Sequence, residues 1–134
     1  MEDFQLEGIK EEDFIVVNSL IPVGPAEQLF IAGVSVFEIT EFTPPIQRVT
    51  ILGINLPRPS IFGPYDIYVA VLTATGSSDP LATLTLIPTE DERNWVATTF
   101  LDFGGTLPNI NVSVRPESFS NHIGNPILEG PVFD

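Results

Sequence analysis

A chain of 134 residues with 18 acidic and five basic side chains carries a formal charge of −13. Nucleic-acid binding needs a cationic face that displaces counterions, and five scattered basic residues cannot build one. The same field disfavours an anionic membrane surface. With no cysteine, the chain has no disulfide, no thiolate metal site and no cysteine nucleophile.

The length fits one domain with a core of its own. Yet 43% of the residues are hydrophobic, and the mean hydropathy is positive at +0.26. A chain that is both acidic and apolar has a large core, or buries extra apolar surface against other chains, or both. No apolar run reaches the length of a membrane span. Met1-Glu2-Asp3-Phe4 lacks the basic start and apolar run of a signal peptide. Either export by that route is not used, or a leader has already been removed.

In chain order, residues 1–13 form an acidic N-terminal arm. Six acidic residues stand against Lys10 there, so the arm holds −5 of the −13. It also holds Phe4, Leu6 and Ile9, which a solvating tail would not need. Two readings stay open: a disordered acidic tail, or an arm that orders on a neighbouring subunit. The remaining residues, 14–134, read as a single domain.

Phe14-Ile15-Val16-Val17 reads as a short strand, and Asn18 to Pro25 as a linker. Leu29 to Phe42 is the next strand region. Val34 and Val36 share one parity, then Phe37 and Ile39 take the other. Such a switch marks a β-bulge or a strand with two covered faces. Ile46 to Leu56 repeats it: Val49 and Ile51 on one parity, Leu52, Ile54 and Leu56 on the other. A strand crossing between two packed sheets would read this way. Pro57 to Pro64 is a proline-rich connection.

Asp66 to Thr75 and Leu81 to Ile87 form a hairpin around Thr75-Gly76-Ser77-Ser78-Asp79-Pro80. The first of these strands is apolar on both faces, which predicts a central position with each face covered. Thr89 to Asn94 is a polar loop, and Trp95 to Phe103 is a strand. Ile110, Val112 and Val114 alternate with Asn111, Ser113 and Arg115, the pattern of a half-buried strand. Pro116 to Pro126 is loop. Ile127 to Phe133 is a terminal strand weakened by Gly130 and Pro131. The sum is seven or eight strands with no helical stripe. The prediction is an all-β, antiparallel two-sheet β-sandwich, jelly-roll or Ig-like, with an extended N-terminal arm.

The run Gly63-Pro64-Tyr65-Asp66-Ile67-Tyr68-Val69-Ala70-Val71-Leu72, followed by a Gly-Ser-Asp-Pro loop and then Trp95, resembles β-sandwich modules of bacterial extracellular proteins. The resemblance implies a surface module and transfers no catalytic residue.

Chemistry-bearing groups are sparse. His122 is the single histidine, in a loop, and no Gly-x-Ser-x-Gly is present. Lys10 lies in the arm. Glu38 and Glu41 read as outward charges on a strand. Glu90-Asp91-Glu92 lacks calcium-loop spacing and is expected to form a solvated turn that could hold a weak divalent cation. Ten Phe against two Tyr and one Trp favour core and dry interface over a sugar platform. The expectation is a non-enzymatic protein without cofactors, whose partners are copies of itself.

The full expectation is a structural subunit of a fibre, appendage, surface layer or virion layer, outside the cell or on its surface. It would assemble by β-strand addition from a terminal arm. The alternative is a monomeric extracellular module binding carbohydrate or another ligand. Candidate contact residues at the N-terminal end are Phe4, Leu6, Ile9, Phe14, Ile15, Val16 and Val17. At the C-terminal end they are Ile127, Leu128, Val132 and Phe133.

Overall fold

Alternation of β-branched and small residues, broken by proline and glycine, produces strands throughout the computed structural model, which describes residues 14–40, 46–103 and 107–134. Nine strands form: β1 Phe14–Pro22, β2 Ala32–Thr40, β3 Ile46–Ile54, β4 Ile67–Ala74, β5 Pro80–Thr85, β6 Ile87–Pro88, β7 Trp95–Leu101, β8 Ile110–Glu117 and β9 Leu128–Phe133. All their pairings are antiparallel. Two 3-10 turns, Gly24–Ala26 and Pro59–Phe62, are the helical segments among the described residues.

The strands make one nearly closed, barrel-like sheet in the order β5-β4-β8-β9-β1-β2-β3-β7-β6. The all-β antiparallel expectation holds. The division into two separate sheets of seven or eight strands does not describe this pairing. Two short ladders join what would have been separate sheets. Ile21 and Pro22 pair with Glu129 and Leu128, and Ile87 and Pro88 pair with Val96 and Trp95. At the second junction one extended run turns at Leu86, so β5 pairs with β4 while β6 pairs with β7. Leu86 is buried, and its N–H donates to the Tyr68 carbonyl at 2.9 Å.

The interior follows from parity. Gly33, Ser35 and Phe37 of β2 point inward, as do Gln47, Val49, Ile51 and Gly53 of β3. Neither strand changes face, and their ladder runs unbroken from Ala32–Ile54 to Thr40–Ile46. The apolar residues on the other parity, Val34, Val36, Leu52 and Ile54, therefore sit on the outside. The β1 strand also runs past the expected Val17 to Pro22, because Asn18 to Leu20 continue the ladder with β2.

Two seams interrupt the wall. Along the first, β1 and β9 stay close but stop pairing beyond their short ladder, and side chains bridge them. The Ser35 hydroxyl donates to the Pro131 carbonyl at 2.9 Å, and Asn18 Nδ2 to the Val132 carbonyl at 3.4 Å. Phe133 packs against Phe37 and Phe14, with ring centroids 5.4 and 6.1 Å away. Gly130 lets the two backbones close up, since a Cβ there would stand 2.7 Å from the Ser19 carbonyl oxygen. Along the second seam, between β5 and β7, no such bridging occurs among the described residues.

Tyr68 anchors the opposite end of the core. Its ring meets Trp95 edge to face at 5.0 Å, and its hydroxyl donates to the Pro57 carbonyl at 2.6 Å. Burial pushes the Tyr68 phenol well above its ordinary range. The folded chain thus retains a proton that the unfolded chain releases above about pH 10. The stability this represents is complete below that pH and is lost as pH rises toward the raised value. Tyr68→Phe should cost about 1–3 kcal/mol at neutral pH through the orphaned Pro57 carbonyl. It should also flatten the alkaline loss of stability, checked by urea unfolding near pH 8 and near pH 11.

Candidate assembly surface

Directly paired residues of an antiparallel ladder share a face, so the register defines the outer wall of the β1-β2-β3-β7 half. One row across it is Ile15, Glu38, Arg48 and Phe100; the next is Val17, Val36, Thr50 and Thr98. A third is Ser19, Val34, Leu52, Val96 and Ile87. Ile15, Val17, Ile21, Ile87 and Phe100 are each 60–65% exposed. The opposite half is different. Its outer face sets Thr83, Thr85, Ser113, Asn111 and the Arg115–Glu117 ion pair at 2.8 Å around Ile67, Val69 and Val71.

The apolar wall spends little charge. In a chain with 18 acidic residues, these three rows hold one carboxylate, and it is matched. Arg48 grips Glu38 with two bonds, Nε to Oε1 at 2.8 Å and one terminal nitrogen to Oε2 at 2.9 Å. The guanidinium bond holds the Glu38 carboxyl below its usual range. Thr50 and Thr98 satisfy one another at 3.1 Å. Covering this wall would strand none of Glu38, Arg48, Thr50 and Thr98, since each already has a partner.

The unfilled seam borders this wall. It forms a cleft of about 420 Å³ lined by Thr83, Leu84 and Thr85 on one side and Ala97, Thr98 and Thr99 on the other. A further cleft, of about 580 Å³, lies between Leu29–Ile31, Asn55–Arg58 and the Glu92–Arg93 turn. Phe30 is 94% exposed there. Asn55 and Glu92, both lining it, have φ of +59° and +58°. Asn55 Nδ2 donates to the Phe30 carbonyl at 2.8 Å, so the cleft wall is pinned.

The expected contact residues separate. Phe4, Leu6 and Ile9 lie outside the described residues. Ile15 and Val17 face outward on the wall, while Phe14 and Val16 pack inward against the core. Ile127, Leu128 and Val132 are fully buried, and Phe133 packs with Phe14 and Phe37. The C-terminal strand is thus built into its own barrel between β8 and β1. Sequence reasoning missed Val34, Val36, Leu52 and Phe100 as surface residues. Their signal was the parity switch, taken for a bulge or a sheet crossing.

The acidic turn is internally occupied. Asp91 accepts from the Thr89 hydroxyl at 2.7 Å and the Arg93 N–H at 3.1 Å, and these bonds lower its carboxyl's pKa. Glu92 lies 3.6 Å from Arg58. Among the described residues, no three His, Cys, Asp or Glu side chains gather as a metal site. His122 does stand beside a serine, with Nδ1 3.3 Å from Ser118 Oγ. That oxygen already accepts the His122 N–H at 2.9 Å, and the Ser118 N–H returns to the His122 carbonyl. The arrangement closes a five-residue turn, and Asp66 accepts from Phe119 rather than from the imidazole.

Fold and surface together define an all-β, antiparallel, barrel-like protein with an apolar outer wall on its β1-β2-β3-β7 half. The chain belongs to the family described as SPbeta prophage-derived uncharacterized protein YoqH, matched over residues 14–134. No curated protein and no solved structure matches it.

Proposed function

We propose that the chain is a non-enzymatic structural subunit that self-associates on a cell or virion surface. The outer wall packs against a second copy, and the N-terminal arm adds a strand to a neighbour. The observation that carries the reading is the wall itself. Exposed apolar residues that share one face mark interaction sites in soluble proteins, and Ile15, Val17, Ile87 and Phe100 share this one. The prophage origin named for the family supports the virion form, because a phage genome must supply subunits that assemble. Sedimentation velocity of the untagged full chain should give species larger than 14.6 kDa that grow with concentration. A single monomeric boundary at all concentrations, with featureless negative-stain fields, would end this reading.

The pinned cleft at Phe30 favours a second reading, a ligand-binding module. An exposed aromatic ring beside Asn55, Arg58 and Glu92 suits a neutral saccharide, stacked on the ring and bonded at its hydroxyls. Strained non-glycine residues concentrate at ligand clamps. A glycan array followed by Phe30→Ala would decide it.

A further inference from the structure

We propose that the seam between β5 and β7 is the acceptor for residues 4–9 of a second copy's N-terminal arm, added antiparallel to β7. This inference rests on the self-association reading and names its contact. Among the described residues, neither the outer edge of β5 nor that of β7 beyond Val96 has a strand partner. Their backbone N–H and C=O groups along the cleft form a ready template for another strand.

Native edges are usually guarded by charge, proline or a bulge. Pro80 guards the start of β5. Trp95–Leu101 has none of these guards: no charge, no proline and an unbroken ladder with β3. The edge of β7 is therefore the receptive one. The arm has the matching pattern, since Asp3-Phe4-Gln5-Leu6-Glu7 alternates polar and apolar residues. Added as a strand, it places Phe4 and Leu6 on one face and Gln5 and Glu7 on the other.

Direction selects the second copy as donor. The seam is closed at one end by the Ile87–Val96 and Pro88–Trp95 pairs and opens toward Leu101. Phe14 stands at that open end, through the row Phe14, Ile39, Gln47, Leu101. A strand antiparallel to β7 runs from the open end to the closed end. The subunit's own arm would then have to return the length of β7's edge, about 17 Å. It would also have to cross β7, β3 and β2, four strand spacings or about 19 Å, to reach its own Phe14. A neighbour seated beyond the closed end needs no return. Repetition of that contact is head-to-tail and makes a ring or an open filament.

The chain contains no cysteine, so engineered thiols report unambiguously. A full chain carrying Leu6→Cys is mixed with a mass-tagged full chain carrying Thr98→Cys and oxidised. The expected result is a disulfide-linked pair of unequal masses, at least tenfold above the yield with Ser77→Cys as acceptor on the distant β4–β5 turn. A yield equal to that of Ser77→Cys overturns the inference. So does an intramolecular link in a chain carrying both Leu6→Cys and Thr98→Cys, which would assign the seam to the subunit's own arm. Sedimentation of the unlinked native chain reads self-association separately. Retained association without the cross-link removes the seam assignment alone.

Discussion

Val17→Lys combined with Val36→Lys should abolish the wall-to-wall contact and leave only the association that the arm supports. The two valines face each other across β1 and β2 in the centre of the apolar wall. Both side chains point away from the core, so the barrel has no reason to rearrange. Association would now bury two ammonium groups with no acidic partner among their row neighbours, Thr50 and Thr98. An unpaired buried charge costs several kcal/mol even after relaxation. The association constant should therefore fall by about 100-fold or more, which corresponds to about 2.8 kcal/mol. Sedimentation velocity at matched concentrations measures the loss, and thermal unfolding checks that the midpoint is preserved. Association equal to that of the native chain would rule out the wall as the contact.

The second large effect concerns the filled seam. Gly130→Val should destabilise the barrel by about 2–4 kcal/mol. A Cβ at that position would lie 2.7 Å from the Ser19 carbonyl oxygen and 3.2 Å from the Leu20 Cα. Both are backbone atoms, so relief requires β1 and β9 to move apart. That movement would stretch the Ser35 bond to Pro131 and loosen the packing of Phe14, Phe37 and Phe133. Gly76→Val is the comparison. Its φ of +89° makes any side chain strained, but nothing lies within 4 Å. That change should cost only the backbone strain, on the order of 1 kcal/mol. Urea unfolding of both variants reads the difference. Equal midpoints would show that the β1–β9 approach is not tight.

Much of the barrel is legible from alternation alone. The Ile67–Ala74 hairpin strand, the clean β8 pattern and the terminal β9 follow from period-two burial and turn residues. The closure of the wall was not legible, because it depends on ladders of two residues at Ile21–Pro22 and Ile87–Pro88. So short a pairing leaves no periodic trace. The wall was hidden for another reason. In β2 and β3 the apolar residues on the second parity looked like a change of face. The sequence shows that both parities are apolar, but not which of the two is turned to solvent. Only the third dimension separates Phe37, fully buried, from Val36 beside it on the outer face.

The contact of Phe14 with Phe133, at the mouth of the β1–β9 seam, fixes how the subunit answers mechanical tension. A pull applied through the two ends would not stretch the barrel along its length. It would peel one strand from the other, starting at three rings packed largely edge to face and ending at a ladder of two residues. Peeling breaks contacts one after another rather than all together, so it yields at low force. A filament joined through the arm would therefore load β1 alone and spare this seam only while the C-terminal end carries no tension.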